Sequence, residues 1–368
     1  MISKIVTLGD VCNKGSSNIA QKDLVDRDGI YPIYGAAGYI KNVDFAHQDK
    51  PYLAVVKDGA GIGRVMKLPA NSSIIGTMQY ILPKGNIDID YLYFALQYMN
   101  LSKYFSGSTI PHIYFRDYQK EKLPLPELSE QQGKAYVLLR IEQLIEYYHQ
   151  QLTKLDELVK SQFVEMFGTF PANEHSWPVG TIRDGVMDVR YGSSRKAAEG
   201  NNGQYPYLRM NNITYSGELD LSDVKTIDIP DDELDKCSVR RGDVLFNRTN
   251  SRELVGKTCV YNRDELMVLA GFVVRVRVND RLLPEFLSAF MNTDFTKTLL
   301  LSMCKAAIGQ ANINATEFQN IGIYFPPIDH QQEFVQMKAQ ADKSKLAVKQ
   351  SLEKLETLKK SLMQQYFG

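Results

Sequence analysis

Cysteine and histidine are scarce in this 368-residue sequence. The four cysteines stand at positions 12, 237, 259 and 304, a spacing that indicates neither a disulfide framework nor a zinc site. The five histidines also lack the spacing of metal ligands. No segment approaches the roughly 20 apolar residues of a membrane span, and the first residues have no apolar run of signal-peptide length. We therefore expect a protein that stays in the reducing cytoplasm.

The motifs of several enzyme classes are missing as well. No Walker-type Gly-Lys-Ser/Thr supports ATP hydrolysis. A DNA methyltransferase acting on an exocyclic amine needs Asn or Asp before Pro-Pro-aromatic, but Pro326-Pro327 stands between Phe325 and Ile328. A metal-dependent nuclease needs clustered carboxylates and a lysine. In the acidic segment 230–236, Leu234 occupies the required acidic position, so we predict an exposed charged turn there. The sequence thus predicts a chain that is not an enzyme and holds no cofactor or metal.

The glycine-rich segment Gly59-Ala60-Gly61-Ile62-Gly63 follows an apolar run, as phosphate-binding loops do. The residues after it alternate as a strand does and reach Pro69 too soon for the helix that such a loop requires. We predict a hairpin or loop here and no bound nucleotide.

The net charge of zero argues against indiscriminate binding of polyanions, so a nucleic-acid role would depend on where the charges lie. The arginines are unevenly distributed: four precede Arg183, whereas twelve lie between Arg183 and Arg281. Arginine suits phosphate and guanine recognition. A solvated face interleaved with Asp and Glu explains the same pattern, and composition alone leaves both interpretations open.

The most informative feature is an internal repeat with a constant offset of 200 residues. The first copy contains Gln131-Gln132, Lys154-Leu155, Leu158, Lys160-Ser161 and Phe167-Gly168, and the second contains the same residues at 331–332, 354–355, 358, 360–361 and 367–368. A repeat of this length indicates a duplicated domain rather than a short-period solenoid. We therefore expect two similar halves, and a partner with two similar parts.

Each half is predicted to end in one long helix, because a proline-rich boundary precedes a segment without further proline. Ser129 and Asp329 are the candidate N-caps, with Gln132 and Gln332 in the capping-box position. We expect the two helices to begin alike.

Apolar residues recur along both helical segments at spacings of three and four, the pattern of a coiled-coil seam. The stripe consists of Ile141, Ile145, Tyr148, Leu152, Leu155, Val159 and Met166 in the first copy, and Phe334, Met337, Ala341, Val348, Leu352, Leu355, Leu358 and Leu362 in the second. Some 38 helical residues would extend roughly 57 Å, which is longer than a compact domain needs. We predict that the two helices pack on each other; the alternative is that each lies on its own domain.

The predicted fold is α+β with an internal pseudo-twofold repeat. We assign residues 1–126 and 169–326 to two β-rich α/β domains, and residues 127–168 and 327–368 to the two helices. The β-rich parts share a weaker kinship, for example between segments 53–59 and 242–246, while the sequence between such segments differs. Duplicated scaffolds with divergent loops indicate that each copy recognises something different.

Three segments carry a family resemblance. They are the boundaries Pro126-Glu127-Leu128-Ser129-Glu130-Gln131 and Pro326-Pro327-Ile328-Asp329-His330-Gln331, each before a long helix, and the polar loop Gly309-Gln310-Ala311-Asn312-Ile313-Asn314. With its two-copy layout, the whole chain resembles the specificity subunit of type I restriction-modification systems. The first copy departs from the pattern in having Ile110-Pro111-His112-Ile113 in place of the polar loop.

The resemblance implies two target recognition domains, each reading one element of a bipartite, asymmetric target in double-stranded DNA. It implies that the helices are spacers, packed as an antiparallel coiled coil that fixes the distance between the two elements. The implied partners are two methylation subunits, which use S-adenosylmethionine to methylate adenine, and two restriction subunits, which use ATP and Mg to translocate and cleave DNA. No cofactor and no membrane contact are expected for this chain.

Loop residues whose side chains suit bases or phosphates are the candidate DNA contacts, since Arg pairs with guanine and Asn or Gln with adenine. In the first domain they are Tyr39, Lys41, Lys57, Arg64, Thr109 and His112. In the second they are Arg190, Ser193, Arg195, Lys196, Arg209, Asn211, Asn212, Arg248, Asn250, Arg252, Gln310 and Asn312. Many are expected to contact phosphates, which take half to two-thirds of such hydrogen bonds.

Three other functions remain open from the sequence. The chain could be a stand-alone DNA methyltransferase or nuclease, which the missing motifs oppose. It could be a non-catalytic coiled-coil scaffold with no DNA role. It could also be a donor of recognition domains that has no active complex of its own.

Overall fold

A computed structural model describes residues 4–106, 111–304 and 310–368. The chain forms two compact units: unit 1 contains the residues up to His149 together with Lys349–Gly368, and unit 2 contains Gln150–Val348. No helix within the described ranges is long and apolar enough to cross a membrane. Because the boundaries between the units fall within both long helices, each unit combines a β-rich part with portions of both helices.

Unit 1 is built from short strands and a few helices. Its strands are β1 (Lys4–Thr7), β2 (Cys12–Ser16), β3 (Tyr31–Gly35), β4 (Gly38–Val43), β5 (Tyr52–Val56), β6 (Val65–Leu68), β7 (Ser73–Ile74), β8 (Met78–Pro83) and β9 (Lys122–Leu125). Its helices are α1 (Leu8–Val11), α2 (Ile89–Met99) and α3 (Phe115–Tyr118), together with portions of the long helices α4 (Leu128–Phe167) and α9 (Ile328–Phe367).

Strand β5, inside the larger sheet of unit 1, is buried over its whole length. The larger sheet has the antiparallel order β2-β8-β5-β6, the smaller has the order β4-β3-β7 with β3 and β7 parallel, and β1 pairs with β9. Leu53 and Val55 pack in one core with α2, whereas Tyr52 and Ala54 pack in a second core with β7. Because successive strand residues point to opposite faces, β5 is apolar on both.

Unit 2 contains twelve strands within the described ranges. They are β10 (Val179–Thr181), β11 (Val186–Tyr191), β12 (Tyr205–Leu208), β13 (Lys225–Ile227), β14 (Ser238–Val239), β15 (Val244–Asn247), β16 (Thr249–Asn250), β17 (Thr258–Val260), β18 (Met267–Leu269), β19 (Val273–Val278), β20 (Ala311–Asn312) and β21 (Gly322–Tyr324). Its shorter helices are α5 (Asp231–Cys237), α6 (Pro284–Met291), α7 (Asp294–Met303) and α8 (Ala315–Gln319).

The sheets of unit 2 follow the topology of unit 1, with one additional strand, β14, in the smaller sheet. Their orders are β11-β19-β15-β17 and β13-β12-β18-β14, and β10 pairs with β21 as β1 does with β9. Strand β15 therefore corresponds to β5, as the sequence kinship between segments 53–59 and 242–246 indicates. The fold is mixed helix and sheet, as predicted, and the repeat extends through the β-rich parts where the sequences have diverged.

A buried glutamine in the first turn of each long helix binds neighbouring backbone groups in the same way. Gln131 is 1% exposed; its Oε1 accepts from the Asp88 amide at 2.8 Å, and its Nε2 donates to the carbonyls of Pro126 (2.8 Å) and Asn86 (3.2 Å). Gln331 is fully buried and binds the Leu283 amide (2.8 Å) and the carbonyls of Pro326 (2.9 Å) and Arg281 (3.0 Å). We call this arrangement the glutamine clamp.

The clamp differs from the predicted capping box. The helices begin at Leu128 and Ile328, so Ser129 and Asp329 lie inside the first turn rather than at the N-cap. The prediction was wrong because the side chain that satisfies neighbouring backbone groups is the first glutamine of each Gln-Gln pair; Gln132 and Gln332 are exposed.

A phenylalanine near the end of each long helix completes a core. In unit 1, Phe367 of α9 packs on Tyr91 of α2 with ring centroids 5.0 Å apart. In unit 2, Phe167 of α4 packs on Phe286 of α6 at 4.9 Å. Since Phe167 and Phe367 are equivalent in the repeat, their recurrence has a packing reason.

The two long helices contact each other within both units. In unit 1, Lys359 donates to Glu142 at 2.6 Å, and Lys134 lies 5.3 Å from the ring of Tyr366. In unit 2, Asp156 pairs with Lys345, and the rings of Phe163 and Phe334 are 5.2 Å apart. In each unit, the α4 residue that comes first in the sequence contacts the α9 residue that comes last. The two helical segments therefore run in opposite directions. One predicted stripe residue differs: Leu358 is 47% exposed, and Lys359 faces α4 beside it.

Candidate nucleic-acid interface

The same two chain segments meet in each unit, on the loop after the central strand. In unit 1, loop 57–64 joins β5 to β6 and pairs with residues 111–113, just before α3. In unit 2, loop 248–257 joins β15 to β17 and pairs with residues 311–313, just before α8. We call this arrangement the paired-loop site.

Backbone hydrogen bonds establish the equivalence of the two paired-loop sites. The amide of Ile113 donates to the carbonyl of Lys57 at 2.9 Å, and the amide of Ile313 donates to the carbonyl of Arg248 at 2.9 Å. A β-bridge joins Asp58 to His112 in unit 1, and β16 pairs with β20 in unit 2. Lys57 and Arg248 therefore occupy matching positions, as do His112 and Asn312, which also differ by 200 in number.

In unit 2 the paired-loop site presents a stacked guanidinium and an amide. The Arg248 guanidinium lies 4.8 Å from the centroid of Tyr191, and its Nε is buried without a hydrogen-bond partner among the described residues. Thr249 donates to the Asn312 Oδ1 at 2.9 Å, which orients that exposed amide and leaves its NH2 group toward solvent. Asn250 donates to the Asn247 Oδ1 at 2.9 Å. Stacking and hydrogen bonding limit the rotamers of these side chains before any ligand binds.

In unit 1 the site is organised around Asp58. This carboxylate binds the Lys57 ammonium and accepts a hydrogen bond from the His112 Nδ1 at 2.6 Å. The His112 ring stacks on Tyr114 with centroids 6.2 Å apart. The glycines of loop 57–64 all adopt positive φ, near 81–84°, and β5 and β6 pair antiparallel. The predicted hairpin is confirmed, and the glycines are explained by backbone conformation.

Three of the predicted arginines are held by carboxylates. Arg190 contacts Asp188 (2.9 Å) and Asp235 (3.4 Å). Arg195 forms two bonds to Glu233, of 2.7 and 3.0 Å, and this contact raises the pKa of Arg195 and lowers that of Glu233. Arg209 binds Asp223 at 2.8 Å. A DNA phosphate would have to compete with each of these carboxylates.

The acidic segment 230–236 was predicted to be an exposed charged turn; most of its charged residues are exposed, but the prediction of a turn was wrong. The segment forms helix α5, whose carbonyls and carboxylates bind arginines. Arg275, only 1% exposed, donates to the carbonyls of Asp235 (3.1 Å) and Ser238, and to the Asp188 carboxylate at 2.9 Å. Burial acts to raise the pKa of Asp188, but the bonds from Arg275 and Arg190 outweigh it and lower that pKa. The acidic residues here organise the domain.

Two predicted contacts lie inside the fold. Ser193 is 9% exposed; its carbonyl accepts from Tyr207 and its hydroxyl from the amide of Arg195. Asn212 is 2% exposed, and its side chain binds the Arg209 amide and the carbonyls of Asp220 and Asp223. The structure gives both side chains a supporting position beneath the surface.

The remaining candidates are on the surface; Arg64 and Arg252 lie in the loops of the paired-loop sites, and the others lie outside them. Arg64, Lys196, Asn211, Arg252 and Gln310 are exposed. Tyr39 and Lys41 lie on β4, in the other sheet, where Lys41 pairs with Asp28 at 2.5 Å. Thr109 lies outside the described residues, as does Gly309 of the polar loop. The paired-loop sites thus bring together Lys57 and His112 in unit 1, and Arg248, Asn250 and Asn312 in unit 2.

Three residues of the paired-loop sites were missed from the sequence: Tyr114, Tyr191 and Thr249. Tyr114 and Tyr191 are 46% and 45% exposed, and each supports a basic side chain: Arg116 lies 4.8 Å from Tyr114, as Arg248 does from Tyr191. The sequence signal was a tyrosine close to a candidate contact: Tyr114 lies two residues after His112, and Tyr191 follows Arg190. Within the described ranges, no cluster of three or more His, Cys, Asp or Glu residues could hold a metal ion.

Comparison with known proteins identifies the relatives of this chain. The family model described as "Type I restriction modification DNA specificity domain" matches residues 3–157 and again residues 177–357. The EcoKI specificity subunit of a type I restriction enzyme from Escherichia coli K12 is 23% identical over 288 residues, which cover 73% of this chain and 61% of that subunit. The match therefore spans less than two thirds of that relative's length.

Two solved structures share the fold. The S subunit of a type I restriction-modification system from M. genitalium aligns with a TM-score of 0.65 and 14% identity, covering 99% of this chain and 96% of its own. A chain from structural work on complex assembly and conformational transition of the type I R-M system aligns with a TM-score of 0.54 and 16% identity, covering 99% and 97%.

Proposed function

Because this chain belongs to the type I restriction-modification DNA specificity family, we propose that it selects the DNA sequence on which a restriction-modification enzyme acts. The target would be bipartite, with one element read by residues 1–126 and the other by residues 169–326. Such a chain acts where the cell's DNA is, which agrees with the predicted cytoplasmic location.

The observation that carries this proposal is the duplicated paired-loop site. The backbone bonds of the site are the same in both units, whereas its side chains differ: Lys57 and His112 in one, Arg248 and Asn312 in the other. A shared frame places basic and amide side chains at matching positions. Different side chains read different bases, since each base edge has its own donor and acceptor pattern. The two elements should therefore differ, making the target asymmetric.

The long helices are proposed to be spacers that form an antiparallel coiled coil. The opposed contacts in each unit, such as Glu142 with Lys359 and Asp156 with Lys345, support this arrangement. Two 40-residue helices packed in this way would fix both the distance and the rotational phase of the two recognised elements.

We propose that two methylation subunits dock on exposed residues that recur in both copies of the repeat although they are not buried in the fold. Residues Lys154, Leu158 and Ser161 follow the spacing i, i+4, i+7 along one face of α4, and Lys354, Leu358 and Ser361 repeat it on α9. Leu158 and Leu358 are 46% and 47% exposed. Gln131, Phe167 and their counterparts recur because they are buried in the fold. Burial does not explain why the exposed residues recur. Two equivalent surfaces suit two copies of one partner.

The chemistry of the complex is proposed to reside in the partners. Methylation subunits would supply S-adenosylmethionine-dependent methylation of adenine, and two restriction subunits would supply ATP-driven, Mg-dependent translocation and cleavage. This chain would be a non-catalytic subunit without a cofactor of its own.

Deleting this chain should abolish methylation at one gapped, asymmetric sequence. The test is genome-wide adenine methylation in cells that express a cognate methylation subunit with and without this chain. A methylated motif that disappears with the chain would support the specificity role and would also give the target. Unchanged methylation would contradict it and favour a scaffold, whereas an absence of any methylated motif in both strains would favour a donor of recognition domains without an active complex.

Substitution in one paired-loop site should relax one element only. Arg248→Ala is expected to lower discrimination at one base position by about 1–3 kcal/mol, because a specific pair is lost. Lys57→Ala should affect the other element. The measurement is the methylated motif of each variant, with Arg263→Ala, an exposed arginine outside the site, as control. Changes to both elements from one substitution would contradict the assignment of one element per unit.

A further inference from the structure

Unit 2 contains a cavity of about 400 Å³ that is separate from the paired-loop site. The last turns of α4, the loop 215–218, the end of α6, the start of α7 and the first half of α9 form its walls. Neither Arg248 nor Asn312 lines it. Its volume falls in the range of roughly 300–1,000 Å³ that small-molecule sites occupy.

One wall of the cavity is a rigid set of aromatic rings. Phe170 packs against Phe290 and Tyr324 with centroid distances of 5.8 Å in both cases, and Phe290 and Tyr324 are 5.6 Å apart. The Tyr324 hydroxyl donates to the Gly168 carbonyl at 3.1 Å, so its polar group is satisfied within the fold. This wall offers flat apolar contact and no unsatisfied tyrosine hydroxyl.

The charges around the cavity are unequally compensated. Asp156 and Asp342 line it, but Lys345 pairs with both, at 3.7 Å to Asp342, and Lys338 pairs with Asp342 at 2.5 Å. Glu218 lies 3.6 Å from the same Lys345, and Asp294 is exposed at the start of α7. These lysines already neutralise the carboxylates on the α4 and α9 side.

Lys297, on α7, is the cation without such compensation. Its Nζ donates to the Gly256 carbonyl at 3.3 Å and lies 5.0 Å from the Tyr215 ring, and it has no carboxylate partner among the described residues. Burial is the main cause that lowers the pKa of Lys297 to about 8, and the neighbouring Lys160 and Lys257 contribute to the same shift. Lys160 also lines the cavity and makes no ion pair within the described ranges. An anion between Lys297 and Lys160 would relieve their repulsion.

We propose that this cavity binds a small molecule with a flat apolar body and one anionic group. The body lies on the wall formed by Phe170, Phe290 and Tyr324, and the anion contacts Lys297 and Lys160. The aromatic wall distinguishes this ligand from a simple inorganic anion, and the volume of about 400 Å³ distinguishes it from a polypeptide. Among the described residues, none of the proposed DNA contacts lines the cavity, and Lys297 touches the paired-loop site only through the Gly256 carbonyl.

The test compares two fluorescent probes on the full chain. They share an N-phenylnaphthylamine body, but 8-anilinonaphthalene-1-sulfonate carries an anion and N-phenyl-1-naphthylamine does not. Lys297→Met should weaken binding of the sulfonate by about tenfold or more and leave binding of the neutral probe unchanged, because methionine preserves the apolar contact. Lys160→Met, an exposed substitution with little effect on folding, should weaken only the sulfonate, by roughly threefold.

The control is Lys343→Met, an exposed lysine on the same unit that does not line the cavity. It should leave the affinity for both probes unchanged. The proposal is overturned if the sulfonate binds Lys297→Met and Lys160→Met as tightly as the unsubstituted chain. It is also overturned if Lys343→Met has the same effect as these variants, because binding would then follow overall charge.

Discussion

The double variant Leu158→Asp/Leu358→Asp is expected to lose both methylation subunits while it stays folded. Each leucine is nearly half exposed, so aspartate costs the isolated chain little, but a carboxylate in an apolar interface would be desolvated without a partner. We expect a loss of about 2 kcal/mol or more per site, roughly 30-fold in affinity. Each single variant should retain one subunit. Native mass spectrometry of the complex with a methylation subunit measures this stoichiometry directly.

The matched control for this experiment is Leu346→Asp. Leu346 lies on α9 and is 57% exposed, but its counterpart 200 residues earlier is Glu146, so the repeat does not preserve it. This variant should bind two methylation subunits. If it releases them while the double variant keeps both, then the docking surface lies elsewhere on the helices, and the argument from exposed repeated residues fails.

Gln331→Leu is expected to destabilise unit 2 strongly. The substitution preserves side-chain volume but leaves the Leu283 amide and the carbonyls of Arg281 and Pro326 without their partner. Each buried, unsatisfied group costs about 1–3 kcal/mol, so with partial relaxation we expect a loss of about 2–4 kcal/mol. For a unit of this size that corresponds to a melting temperature lower by roughly 5–15 °C. Thermal unfolding followed by circular dichroism measures the change.

Gln332→Leu provides an internal comparison one residue away. Gln332 is exposed and stands in the capping-box position that the sequence suggested. If the clamp is correct, Gln332→Leu shifts the melting temperature by less than about a fifth of the Gln331→Leu effect, within the usual ±0.5 kcal/mol of surface substitutions. Equal losses from the two variants would favour a capping role for both glutamines.

The duplicated plan could be predicted because its carriers recur at a fixed offset. Gln131 and Gln331, and Phe167 and Phe367, are buried in equivalent places, so the requirements of packing preserved them in both copies. The two long helices followed from proline-rich boundaries and apolar spacing. The sequence identified the correct Gln-Gln pair but assigned the wrong member, because a capping box is a local pattern and the clamp binds residues more than 40 positions earlier.

The candidate interface was predicted only in part. Lys57, His112, Arg248 and Asn312 were selected from the sequence, and the structure brings them into matching sites. Arg190, Arg195 and Arg209 were selected for the same side-chain chemistry, but carboxylates hold them. Residue type indicates which ligand a side chain can bind, and only its neighbours determine whether it is already engaged.

By itself, then, the sequence determined what depends on periodicity and local chemistry: two halves, two long helices, and loops rich in basic and amide side chains. The tertiary structure alone decided which loops meet, because the paired-loop site joins segments about 55–65 residues apart through backbone bonds that leave no mark in side-chain pattern. It alone placed Lys297 beside an aromatic cavity, since burial and compensation of a charge depend on every element packed around it.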